Sequence, residues 1–177
     1  MNGLRQSSIL ADPLQSDTIF SIAQADISRI LDIYRPEYRY VTDAGISGFR
    51  LSCKLRQVHY PYTVNEVFKY VTAPTATFLA CQLAYVLVGG LILVGNEVAS
   101  SILSWQEFIQ FRDAAILRFT RCDTLFRGEV ANAQNIPASI SICRHRRAPF
   151  GRYCSMSFSI GGGITGKIHG AIVRANQ

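Results

Sequence analysis

From Val71 to Gly95 the chain carries no charged side chain: VTAPTATFLACQLAYVLVGGLILVG. An uncharged stretch of this length folds as a bilayer span or as a helix enclosed by protein. The residues at its start favour the enclosed helix, because Thr72 followed by Ala73-Pro74 combines an N-cap with a first-turn proline. Thr75, Thr77, Gln82 and Tyr85 add polar groups, and Gly89-Gly90 is expected to interrupt the helix. The reading is a helix over Ala73 to Val88, hydrophobic all round and wrapped on most sides, with no membrane span.

Elements on either side explain what wraps it. A first helix is expected over Ile22 to Tyr34, with Ile22, Ile27, Ile30 and Leu31 as its apolar stripe and Pro36 as its stop. Phe49, Leu51, Cys53 and Leu55 alternate with Arg50, Ser52, Lys54 and Arg56, the period of a half-solvated strand. Ser104-Trp105-Gln106-Glu107 has capping-box spacing and should open a short helix. Alternating segments follow over Ile116 to Thr124, Ala138 to Arg144, Arg152 to Ile160 and Ile164 to Val173, with Gly161-Gly162-Gly163 joining the last two. One long apolar helix against a curved antiparallel sheet is the α+β hot-dog architecture. Residues 1–16 read as a flexible leader and 17–177 as a single domain. Such sheets usually pair edge to edge, so a homo-oligomer, a dimer or higher, is expected.

The chain of 177 residues can bury a full core, and with 49% hydrophobic and 17% charged residues it is somewhat apolar. Lys+Arg 18 against Asp+Glu 12 gives +6, which favours an anionic partner. The cysteines Cys53, Cys81, Cys122, Cys143 and Cys154 contain no CxxC pair, and the N-terminus has no apolar signal core. They read as reduced thiols of a cytoplasmic protein.

Several short pieces, in order, resemble the type III fatty acyl-CoA thioesterase (FcoT-like) family. They are Ile30-Leu31-Asp32-Ile33-Tyr34, Arg39-Tyr40 with Asp43, Gln82-Leu83-Ala84-Tyr85, Trp105, Phe126-Arg127, Arg152-Tyr153 and Thr165-Gly166-Lys167-Ile168. The resemblance covers roughly Ile27 to Asn176. It implies a homo-oligomeric hot-dog enzyme handling long acyl chains on a thioester, with no cofactor and no metal. Its site uses tyrosines and asparagines without a carboxylate base. Tyr34 matches the tyrosine ending the first helix, and Tyr62, or Tyr60 with a gap, matches the second. Thr72 and Cys81 stand where the asparagines fall. An Asn amide orients water and donates to a carbonyl at once, whereas Thr does part of this and a helix-interior Cys hardly any. That departure weighs against hydrolysis more than against acyl-thioester binding.

Each candidate residue also has a bland reading. Cys81 is a possible nucleophile, but a small buried hydrophobe is the simpler role. His59, beside Tyr60-Pro61-Tyr62, is a candidate base or a pocket residue. Tyr34, Tyr60, Tyr62 and Tyr85 line a wall or donate to a thioester oxygen. The helix start offers the N–H groups of Thr75 and Ala76 as oxyanion donors. The scattered histidines argue against a metal site, and no Gly-x-Ser-x-Gly elbow exists. Arg144, Arg146 and Arg147 form the densest basic cluster, a solvated hairpin end or a docking patch for coenzyme A phosphates or an acidic acyl carrier protein. Nucleic acid is disfavoured because exposed aromatics are not interleaved with the basic residues.

The leading expectation is a long-chain acyl-CoA or acyl-carrier-protein thioesterase. The alternative is a lyase-type addition enzyme placing glycine or water on the β-carbon of an α,β-unsaturated carrier thioester, as relatives of this family do in isonitrile lipopeptide biosynthesis. A non-catalytic acyl-binding protein is the third possibility.

Overall fold

A computed structural model describes residues 18–60, 68–111, 117–149 and 151–173. The expected leader lies outside this range. The element order is β1 (Phe20–Ser21), α1 (Gln24–Ile30), a 3-10 turn (Pro36–Tyr38), β2 (Val41–Ser47), β3 (Arg50–Leu55) and α2 (Ala73–Leu93). After these come α3 (Glu97–Ser100), α4 (Trp105–Phe111), β4 (Leu117–Phe126), β5 (Ile136–Ala148), β6 (Gly151–Ile160) and β7 (Ile164–Val173).

The strands form one antiparallel sheet of seven, in the order β1-β2-β3-β5-β6-β7-β4. The helix α2 touches β2, β3, β5, β6 and β4, strands drawn from nearly the full width of the sheet. A sheet that meets one helix so broadly must curl around it. The arrangement is α+β and consistent with a hot-dog-like layout. Alternate residues of β6, Cys154, Met156, Phe158 and Ile160, enter the core, as do Ile164, Ile168 and Ile172 of β7.

The uncharged stretch lies inside this fold. By length and composition α2 could cross a membrane, yet 78% of its most apolar window is buried by protein. The expected interruption at Gly89-Gly90 does not occur, and the helix continues to Leu93. Close packing explains both glycines. A Cβ on Gly89 would stand 2.8 Å from Ile30 and 2.9 Å from Phe108, and one on Gly90 would collide with Ile46 and Ile22. Their missing side chains let α1, α4 and β2 approach the helix, which outweighs their poor helix propensity.

Three other expectations change. The first helix ends at Ile30, so Tyr34 follows it on a bend rather than closing it, and Pro36 opens the 3-10 turn. Strand β2 was not anticipated, because a bulge between Thr42 and Gly45 breaks its alternation and Asp43 sits at φ 46°. Strand β5 runs on past Arg144 to Ala148. The capping box holds: Glu107 accepts from the Ser104 N–H at 2.7 Å, and the Glu107 N–H donates to Ser104 Oγ at 3.2 Å.

Candidate functional site

One face of α2 escapes the sheet. Thr77, Phe78 and Cys81 are half-buried in a helix otherwise enclosed, and Tyr85 continues the same stripe at helical spacing. Tyr34 approaches this face from the loop after α1. Its ring meets Phe78 edge-on at 5.2 Å and Tyr85 at 6.4 Å between centroids. From the other side β4 supplies Phe119, 6.3 Å from Tyr85. Behind Phe78 stands Tyr40, at 6.2 Å. The result is an aromatic trough floored by α2 and walled by Tyr34 and β4.

Among the described residues the trough carries no formal charge, and burial controls its ionisable groups. Burial holds the Tyr34 phenol well above its ordinary range, with smaller contributions from neighbouring Cys81 and Tyr85. Cys81 is pushed up to about 11 by burial and, secondarily, by Cys122. Cys122, on β4, is also raised by burial, against which the Thr124 and Thr77 hydroxyls act. At neutral pH these groups keep their protons. The Tyr34 phenol can therefore donate a hydrogen bond but cannot serve as a base near neutral pH, and Cys81 is a poor nucleophile.

Two polar side chains fix the trough's frame. Buried Gln82 accepts from the Tyr40 N–H at 3.0 Å and donates to the Tyr38 carbonyl at 2.5 Å. This explains one polar residue inside an apolar helix, since it satisfies main-chain groups that the 3-10 turn leaves open. Asn132 does the same for the chain entering the helix, donating to the Val58 and Phe68 carbonyls at 2.9 and 3.0 Å and accepting from the Val58 N–H at 2.8 Å.

The structure brings Tyr34, Cys81 and Tyr85 together and leaves other expected residues apart. Tyr62 lies outside the described residues. Tyr60 is buried against Phe68, at 4.7 Å between centroids. The exposed His59 offers its carbonyl to the Tyr40 hydroxyl. Thr72 is the N-cap residue of α2, but its hydroxyl pairs with that of Thr75 at 3.0 Å and not with a main-chain N–H. Ala76 is corrected as an oxyanion donor, because its N–H donates to the Thr72 carbonyl at 2.8 Å in the first helical hydrogen bond. With Pro74 lacking an N–H, the donors ahead of that bond are Ala73 and Thr75. Arg144 and Arg146 fall on the outer sheet face opposite Ser155 and Tyr153, whereas Arg147 pairs with Arg152 on the other face. The sequence reading missed Phe78, Phe119 and Cys122. The period of half-buried positions along α2 could have flagged Phe78, but nothing local marks the two β4 residues.

No family model matches this chain, and no curated protein matches it. Among solved structures, the dehydratase domain of RzxB from Pseudomonas fluorescens is similar at 9% identity and a TM-score of 0.49, over 93% of this chain and 52% of that one. The chain thus spans about half the length of that structure.

Proposed function

We propose that this protein is a hot-dog enzyme acting on an acyl chain held as a thioester, by coenzyme A or a carrier protein. The observation behind this reading is the Tyr34 phenol, kept protonated by burial, over the uncharged aromatic trough on α2. Phe78, Tyr85 and Phe119 suit an acyl chain, and a neutral phenol suits an oxygen that gains negative charge during reaction. In hydrolysis, water adds to the thioester carbonyl carbon, the C–S bond breaks, and the thiol leaves with a proton as the free acid forms. Tyr34 would stabilise the tetrahedral oxyanion between those events.

Addition to an enoyl thioester is the second reading. It is favoured because, among the described residues, no carboxylate or imidazole meets the Tyr34 ring to activate water. An amine such as glycine, once its ammonium has released a proton to solvent, is a stronger nucleophile than water and needs no general base beside it. It attacks the β-carbon, the π electrons move to the thioester oxygen as an enolate held by Tyr34, and the α-carbon takes up the proton that nitrogen gives up.

A second copy belongs to this reading. Strand β4 walls the trough and pairs with β7 on one side; among the described residues no strand covers its other edge, where Leu125 and Phe126 are 53% and 42% exposed. Pairing there would bury an apolar sheet edge and enclose the trough.

The test is mass spectrometry of saturated and enoyl thioesters incubated with the protein, with and without glycine. Free acid supports hydrolysis and a β-adduct supports addition. Tight binding with unchanged substrate means an acyl-binding protein, and neither binding nor turnover ends the reading.

A further inference from the structure

The outer face of the sheet carries a charge pattern that the trough does not use. The inward alternation of β3, β5, β6 and β7 places Arg50, Arg144, Arg146 and Lys167 outward, and β4 adds Arg118 and Arg121. A bulge between Ile142 and Arg144 sets this arrangement by inserting Cys143, which turns Arg144 and Arg146 to one face and Arg147 to the other. Asp123 is the one carboxylate among the described outward positions of these strands, and Arg121 already holds it at 2.8 Å. Between the cations lie short hydroxyl side chains, Ser141 opposite Ser157 and Ser139 opposite Ser159. The face is therefore cationic, with low ground between its long arginines.

We infer that this outer sheet face docks an acidic protein surface. Guanidinium forks match carboxylates in pairs, and the serine hydroxyls between them can donate to the same groups. A second copy of this face would meet like charge with like charge. A single strand of nucleic acid needs open aromatic rings for stacking, and the Tyr153 ring is covered by Arg146, whose guanidinium carbon lies 4.9 Å from the ring centroid. A lipid surface would be held more firmly by apolar side chains among the cations, and around Arg50 and Arg144 the facing positions are Ser139, Ser141, Ser155 and Ser157, with exposed Leu125 apart on the edge strand β4. The inference does not depend on the reaction proposed above, and its test measures binding without turnover.

The test titrates the full chain with fluorescein-labelled poly-L-glutamate, with a single-stranded oligonucleotide of equal charge, and with vesicles containing anionic lipid, each at low and physiological salt. Arg146→Ser and Arg147→Ser remove the same charge from adjacent residues on opposite faces, so a purely non-specific attraction would be weakened equally by either, whereas docking on the outer face would not. Arg146→Ser and Arg144→Ser should each weaken polyglutamate binding about threefold, and Arg147→Ser should leave it unchanged. Equal loss in Arg147→Ser, or tighter binding of the oligonucleotide or the vesicles than of polyglutamate, overturns the inference.

Discussion

Arg39 Nε donates to the main-chain carbonyl of Tyr34 at 2.8 Å. The same guanidinium donates to the Ser28 carbonyl at 3.3 Å and to Asp32 Oδ1 at 2.5 Å. One side chain thus ties the end of α1, the bend after it and Tyr34 to the start of β2. Arg39 is a positioning residue for Tyr34.

Arg39→Lys keeps a charge but cannot reproduce the fork. Loss of its main-chain hydrogen bonds should cost about 2 kcal/mol of stability, read as a lower urea midpoint. Turnover should fall mainly through kcat, because Tyr34 loses its fixed place more than the trough loses its apolar wall. A fall confined to stability, with kcat intact, would show that Tyr34 is held by its ring contacts alone.

Tyr34→Phe deletes the donor and keeps every ring contact. The expected loss is about 10²-fold in kcat, with the urea midpoint nearly unchanged. Because burial raises the Tyr34 phenol above its ordinary value, the native rate should show no decline from loss of this proton as pH passes 10. Steady-state kinetics of both proteins from pH 7 to 10.5 check the two statements together.

The buried thiols make stability fall in alkali. Cys81 and Cys154 are held near about 11 in the folded chain, above the ordinary value of 9.0, each chiefly by burial. The folded state therefore keeps these protons when the unfolded chain loses them. Their contribution is whole below pH 9, declines as pH rises, and is lost through about 11. Urea midpoints at pH 8 and 10.5 should drop less in Cys81→Ala than in the native chain. At pH 8, mass spectrometry of alkylated native protein should find exposed Cys143 labelled before Cys81, Cys53 or Cys154.

Gly90→Ala puts a methyl group against the Cδ1 ends of Ile46 and Ile22, two side chains themselves buried in the core. Overpacking of this kind costs about 1–3 kcal/mol, more than the gain in helix propensity returns. Thermal denaturation should show a lower Tm. A higher Tm would mean that β2 gives way without strain.

How much of this could be read from the chain depends on how local each signal is. The helix α2, the Ser104 capping box and strands β6 and β7 were legible because a few adjacent residues carry their chemistry and period. Strand β2 was hidden by its own bulge: Val41, Ala44 and Ile46 are buried at spacings of three and then two, so neither period fits. The glycine pair misled because its explanation lies in Ile30, Phe108, Ile46 and Ile22, all distant in sequence. In the site, Tyr34 is expected from the family resemblance and Tyr85 from the amphipathic chemistry of a tyrosine on the apolar helix. Phe119 and Cys122 reach the trough only because β4 joins the sheet beside β7, a pairing that no local pattern announces.

The order of elements along the chain also matters during synthesis. The strands that cover α2 on its later side, β5 and β6, follow it in sequence, and β3 finds its partner β5 only after α2, α3, α4 and β4 have been made. A nascent chain thus presents a long uncharged helix to its surroundings before its cover exists. Until then the segment has the hydropathy by which insertion machinery recognises an anchor, and the exposed surface by which chaperones recognise a client. Production of this protein should therefore depend on how fast the ribosome reaches β5 and on what holds α2 meanwhile, and slowed translation between Asn96 and Ile136 should lower the soluble yield without altering the finished fold.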